Sequence, residues 1–428
     1  VSIIPLLFLL HASARALATT PYDTKLCLQT PHPERTPEES LQDLSLECQE
    51  LGVSQFDVYG DFQSDAKESF LRKFEKEVAD ELGMEDAVFM PSGVMAQGIA
   101  LLIHSRAGGK QRPMFACHHT SHLLLHEDEA YGELLNMEPL VISTEEKVAA
   151  NGYSLPPLTY DDVEIALDSF LEGGMSPSDM VAALIVELPH REIGGKCTPW
   201  PDIMKIRNKC RKDGVKLHCD GARLFEASTW YGMNLADLVK PFDSVYISFY
   251  KGLGGLSGAM LLGDKGFCVE ARKWLRRFGG NLYTLLPYVV SGWSGYKRYW
   301  KCRDGQMTFA QKREKLTRII ADMKADEDIA NTVSFDPEVP EVNMIHGYLW
   351  SSPDQVNKAI AKVEDRHGIR VLKRVRPVGE ATSAHLEGFK SMFELSIGEA
   401  NGQIQDETFI SAWSELAKEL PNRRRTDV

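Results

Sequence analysis

The sequence predicts an α/β fold with a mostly parallel sheet and a smaller C-terminal α/β domain. Three observations predict it. Short apolar runs alternate with segments of helical period, glycine and proline mark the junctions, and no internal repeat or low-complexity stretch interrupts the series. At 428 residues the chain has room for about two or three domains.

Residues 3–10, IIPLLFLL, form an apolar run too short to cross a membrane. Small residues follow it, as at the cleavage site of a targeting peptide, although no basic stretch precedes it. Residues 1–20 are therefore set apart, either as an organellar or secretory targeting segment or as a disordered one. Without such a segment the expected location is the cytoplasm. Residues 21–55 are polar, proline-punctuated and form an N-terminal segment. A large domain is expected over 56–305 and a small one over 306–422.

Within the large domain, residues 64–83 read as a helix. Phe70, Phe74, Val78 and Leu82 recur every fourth position, Ser64 can cap the start and Gly83 suits the exit. AVFM (87–90), MVAALIVEL (180–188), VKLHC (215–219), SVYISF (244–249) and GAMLLG (258–263) read as strands. A helix between the second and third has Pro201 in its first turn and Gly214 at its end. Helical patterns at 306–330 and 354–367, separated by the irregular stretch 334–343, supply the small domain.

Composition narrows the function. Lys+Arg 48 against Asp+Glu 61 leaves a net charge of −13, which excludes a general nucleic-acid binder. The one basic run, Arg423–Arg425, reads as a solvated tail. Eight cysteines without a CxxC pair read as reduced, mostly buried thiols.

Polar chemistry then falls at one kind of place. MVAALIVEL runs into Pro189-His190-Arg191, VKLHC into Asp220-Gly221-Ala222-Arg223, and SVYISF into Tyr250-Lys251-Gly252. The carboxyl ends of parallel strands are where open α/β sheets bind ligands. Glycines at 252, 254, 255 and 258 beside Lys251 suit either a phosphate cradle or a covalent lysine that needs open approach. Lys251 with Asp220, 31 residues upstream, favours the second. A lysine amine forms Schiff bases, and an aspartate keeps a pyridine nitrogen protonated, the pairing that pyridoxal 5′-phosphate (PLP) requires. Ser92 and Gly93 open a helical pattern and offer an anion site, Ser248 offers a further hydroxyl, and Arg223 can meet a phosphate or a carboxylate. A competing reading places His118, His122 and His126 on one helix face as a zinc site, near Glu129. The imidazole of His122 stacked on a PLP ring uses the same segment without metal.

In order, SGVMAQ, SHLLLHE, VELPHREIGG, HCDGARLFEA and SFYKGLGG resemble the motifs of the threonine aldolase/β-eliminating lyase family of fold-type-I PLP enzymes, over roughly residues 55–300. The resemblance implies a large domain with a mostly parallel seven-stranded sheet flanked by helices, and PLP as cofactor. It implies Lys251 as the Schiff-base lysine, Asp220 on the pyridine nitrogen and His122 on the ring face. Ser92, Gly93 and Val94 would line the phosphate site, and Arg223 would bind the substrate carboxylate. His190, or a water it holds, would take the β-hydroxyl proton. Glu127 matches a family acid whose role stays open. The implied reaction is retro-aldol cleavage of a β-hydroxy amino acid, with threonine or allo-threonine yielding glycine and acetaldehyde. β-Elimination on a β-substituted amino acid is the alternative, and a metal-binding protein built on the histidines is a third. A homodimer or homotetramer is implied, with no nucleic acid and no membrane span.

The chain also departs from the family pattern. No Ser-Asp-Thr occurs in LECQELGVSQFDVYGDF (46–62), Val94 replaces a threonine of the phosphate loop, and Phe249-Tyr250 are bulky before the lysine. FELSIGEAN (393–401) lacks the expected carboxylate-binding arginine, for which Arg370, Arg374 and Arg376 are the substitutes.

Overall fold

A computed structural model describes residues 26–59, 69–148, 153–302, 305–378 and 388–421. The expected targeting segment, the expected Ser64 cap and the basic tail lie outside these residues. Thirteen strands are described: β1 (Leu26–Cys27), β2 (Asp86–Met90), β3 (Met114–His118), β4 (Glu138–Ile142), β5 (Val181–Glu187), β6 (Lys216–Gly221), β7 (Ser244–Ser248), β8 (Ala259–Gly263), β9 (Val333–Asp336), β10 (Met344–Leu349), β11 (Ile369–Arg370), β12 (Arg376–Pro377) and β13 (Ser391–Ser396).

Seven of them form one sheet in the order β2-β8-β7-β6-β5-β3-β4, in which β8 alone runs against its neighbours. The sheet is therefore mostly parallel and seven-stranded, as the family resemblance implies. β5, β6 and β7 are adjacent and parallel, so the three polar strand exits meet at one edge. β5 is buried at every residue, which is why it reads as one continuous apolar run. β3 and β4 have no counterpart in the sequence reading, because MFACH ends in histidine and EPLVI is a half-exposed edge strand.

The helix over the first strand runs Phe70–Glu81 and is capped by Ser69, whose side chain accepts from Arg72 N–H. Phe74 and Val78 are fully buried, and Gly83 adopts φ +61° at the exit. Phe249 packs 4.9 Å from Phe74 and 5.9 Å from Phe89, centroid to centroid. Of the bulky pair before the lysine, Phe249 is thus part of the core. The helix Trp200–Asp213 carries its proline in the first turn and closes on Gly214 at φ +69°, as its sequence predicts.

The C-terminal part carries a four-stranded antiparallel sheet, β12-β13-β10-β9, under the helices Phe309–Ala325, Pro353–His367 and Asp406–Glu419. Part of the stretch expected to be irregular is β9. The N-terminal segment joins this unit: β1 pairs with β11, and Leu28 is fully buried in its core. The five cysteines at 117, 197, 210, 219 and 268 are buried, and all eight are free. No helix among the described residues is long and apolar enough to cross a membrane.

Candidate active site

Lys251 leaves β7 into a cavity of about 250 Å³ that it shares with Arg223, Glu226, Tyr250, Lys312 and Glu394. Burial, and then the Arg223 guanidinium, lower its amine to a pKa of about 8, against the opposite pull of Asp220. Gly252 lies against Glu226, whose Oε1 would stand 2.0 Å from a Cβ placed there, so a larger residue would have to displace that carboxylate. His32, from the N-terminal segment, donates to the Lys251 carbonyl at 2.9 Å. Residues 31 and 32 therefore reach the cavity, whereas Asp57 of the 46–62 stretch accepts from Thr284 Oγ1 at 2.6 Å and from the Leu285 N–H. Tyr250 is 43% exposed, with its ring 5.8 Å from the Lys251 amine.

Asp220 sits on the neighbouring strand, 5% exposed. Its Oδ2 accepts from Gln97 Nε2 at 2.6 Å and its Oδ1 from the Ala222 N–H at 3.1 Å. Glu187 lies opposite it in the β5–β6 register. Burial first, and the Asp220 charge second, push the Glu187 carboxyl well up. The His122 N–H donates to its Oε1 at 2.8 Å.

Ser92 caps the helix Gly93–Ser105, its Oγ accepting from the Met95 N–H at 3.3 Å. A Cβ on Gly93 would stand 2.1 Å from the Tyr246 hydroxyl, so only glycine lets the helix start here. Val94 is 39% exposed and offers only its backbone N–H. Ser248 Oγ is buried with no hydrogen-bond partner among the described residues. Free N–H groups at a helix start and an orphaned buried hydroxyl are donors suited to a phosphate. With the Lys251 amine and Asp220 on adjacent strands, these residues fit PLP.

The histidines divide. His122 Nδ1 lies 3.0 Å from Glu127 Oε1, so the acid whose role the sequence leaves open orients this imidazole. His118 ends β3 and faces Thr120 and Thr144 at 2.9 and 2.8 Å, while His126 faces Glu192 at 2.8 Å. The three do not share a helix face, because only His122–Leu125 is helical. No His/Cys/Asp/Glu cluster fit for a metal occurs among the described residues. His190 is buried at the β5 exit with Nε2 3.0 Å from Thr120 Oγ1, and burial lowers its pKa to about 4. It is not among the residues lining the Lys251 cavity.

The 393–401 stretch, where an arginine is expected, brings Glu394 to the cavity instead. Arg191 Nε lies 2.8 Å from its Oε2 and Arg223 Nη2 3.4 Å from its Oε1. Although burial opposes it, His346, Arg223 and Arg191 hold this carboxyl far below the usual range. Of the substitute arginines, Arg370 pairs with Glu364 at 2.9 Å. Arg374 and Arg376 line an adjoining cleft of about 470 Å³ with Arg191 and Glu394. Sequence reasoning misses Gln97 and Glu187. A lone acid ending the apolar run of β5 was the available signal for Glu187, and Gln97 lay hidden inside a helical motif.

Comparison with known proteins agrees with this geometry. Residues 56–334 match the beta-eliminating lyase family model. A solved structure from Exiguobacterium sp. 255-15, assigned as an aromatic amino acid beta-eliminating lyase/threonine aldolase, is 31% identical. The superposition covers 93% of this chain and 98% of that one with a TM-score of 0.74. The low specificity L-threonine aldolase of Escherichia coli O157:H7 is 30% identical over 230 residues, 53% of this chain and 60% of that protein. An Arabidopsis thaliana protein assigned as low-specificity L-threonine aldolase 2 is 32% identical over 211 residues, 49% and 56% of the two chains. The match thus spans little more than half the length of these two relatives.

The Lys251 environment has a direct consequence. Its amine is expected to react with an acylating reagent half-maximally near pH 8, some two units below surface lysines. Peptide mapping after labelling across pH 6–10 measures it, and a midpoint near 10.5 would contradict the burial account.

Proposed function

The chain belongs to the beta-eliminating lyase family, and on that premise we propose that it is a PLP-dependent lyase cleaving the Cα–Cβ bond of a β-hydroxy amino acid. Threonine or allo-threonine would yield glycine and acetaldehyde. The observation that carries the reading is the Lys251 amine of lowered pKa one strand away from the buried, doubly hydrogen-bonded Asp220.

Bound PLP supplies a sink for the electron pair left on Cα when the bond to Cβ breaks. The chain's own residues do the rest. At pH 7 about a tenth of a lysine amine with this pKa is neutral and nucleophilic. Ser92, Gly93, the Val94 N–H and Ser248 would hold the phosphate by hydrogen bonds, with the helix dipole adding to them. Asp220 would keep the pyridine nitrogen protonated. His122, braced by Glu127, would contact the ring. Arg223 binds the substrate carboxylate, and its looser contact to Glu394 leaves it free to turn while Arg191 retains that acid. His190, neutral because it is buried and set back from the cavity lining, would accept the β-hydroxyl proton through a water it holds.

A second copy of the chain completes the reading. Phe56, Val58, Tyr59, Leu282 and Tyr283 are each at least 40% exposed, and Tyr59 stacks edge-on to Tyr283 at 5.4 Å. An apolar cluster of this kind is suited to burial against another subunit. Light scattering is expected to return at least twice the 47.9 kDa chain mass; a monomer at micromolar concentration would remove this part of the proposal.

Product analysis tests the reaction itself. With L-threonine, L-allo-threonine and L-serine, the expected products are glycine and the matching aldehyde, and Lys251→Ala is expected to lose at least about 10³-fold in rate. A 2-oxo acid with ammonia would establish elimination instead, and an unchanged Lys251→Ala rate would overturn the assignment.

A further inference from the structure

Four buried side chains behind Asp220 have no part in the chemistry above, yet they form one unbroken hydrogen-bonded line. Gln97 Nε2 lies 2.6 Å from Asp220 Oδ2, and Gln97 Oε1 lies 2.7 Å from His218 Nε2. His218 Nδ1 lies 2.7 Å from Ser244 Oγ, and the same oxygen lies 2.7 Å from His104 Nε2. None of the four is more than 4% exposed.

The fold assembles them by period. Gln97 and His104, seven residues apart, share a face of the helix Gly93–Ser105, and His218 and Asp220, two apart, share a face of β6. Ser244 stands opposite His218 in the β6–β7 ladder and closes the gap.

The line also has a direction. An ionised Asp220 only accepts, so Gln97 turns its NH₂ toward Asp220 and its carbonyl oxygen toward His218. His218 then donates from Nε2, which leaves Nδ1 to accept from the Ser244 hydroxyl. That oxygen in turn accepts from His104 Nε2. This requires the His218 imidazole to be neutral, and burial lowers it to about 3; burial likewise lowers His104 to about 4, and its Nε2–H donates to Ser244. The carboxylate thus sets the amide orientation, and the His218 N–H on the amide oxygen holds Gln97 in it.

We infer that Gln97 is a positioning residue for the proposed reaction, and that His218, Ser244 and His104 act through it to fix the one carboxylate rotamer of Asp220 that meets the pyridine nitrogen. The inference rests on reading the site as that of a PLP lyase. The Ala222 N–H on Oδ1 is one anchor; the Gln97 N–H on Oδ2 is the second, and together they prevent the carboxylate from pivoting.

The test compares Gln97→Leu, Ser244→Ala and the double variant, each loaded with pyridoxal 5′-phosphate. The readouts are the pH titration of the cofactor's visible absorbance, PLP affinity, and kcat separately from KM. Gln97→Leu is expected to move the absorbance pKa up by about one unit, because a less firmly held pyridine proton withdraws less charge. It is also expected to lower kcat about tenfold with KM within about twofold. Ser244→Ala shifts the same way by less, and the double variant matches Gln97→Leu, since both act through one line. Gln97→Glu restores the shift on the acid side only, where its carboxyl can donate. A folded, loaded Gln97→Leu with the wild-type titration, or shifts that add fully in the double variant, would overturn the inference. Should Gln97→Leu fail to fold, a wild-type titration in Ser244→Ala overturns it equally. Wild-type protein that binds no PLP would instead defeat the underlying functional reading.

Discussion

Glu187 and Asp220 face each other across two neighbouring parallel strands, both at least nine-tenths buried. Two carboxylates so placed cannot both ionise cheaply, since desolvation and mutual repulsion act together. The structure separates them by unequal donor supply. Asp220 receives the Gln97 side chain and the Ala222 N–H, while Glu187 receives the His122 N–H and is pushed toward its neutral form. The rest of the site follows from this asymmetry. Asp220 stands one strand from Lys251, and Glu187 ties the His122 segment to the sheet. Parallel pairing of β5, β6 and β7 is what brings these three ends together.

Charge at the substrate end is balanced differently. Arg223, Arg191, Lys251 and Lys312 surround Glu394 and Glu226 at the cavity and its adjoining cleft. Glu394 pairs with both guanidinium groups, and Glu192 is a second partner of Arg191. On the proposed reading, a substrate carboxylate entering this cavity would meet an arginine already facing an acid, so its binding would be an exchange of partners. Phe249 is wholly committed to the Phe74 cluster.

The strand exits were legible because burial on both faces makes β5, β6 and β7 near-continuous apolar runs, and a polar residue directly after such a run stands at the sheet edge. The same rule failed for β3 and β4, where edge exposure and a terminal histidine dilute the run. Helical spacing of His118, His122 and His126 was misleading, since a strand end and a single helical turn replace the expected helix. Gln97, Glu187 and Glu394 escaped because their roles depend on residues 123, 33 and 171 or more positions away in the chain. Local pattern carries no trace of such pairings. Glu127 was identified by resemblance alone, and its contact with His122 gives that match a physical reason.

The central claim is that Lys251 is the covalent lysine, its amine kept reactive by burial and by Arg223. Borohydride reduction of the PLP-loaded protein, followed by mass spectrometric mapping of the pyridoxyl-labelled peptide, tests it most directly. The account expects one label per chain, on Lys251. A label on Lys312 or another lysine, or a cofactor that reduction fails to trap, would contradict it.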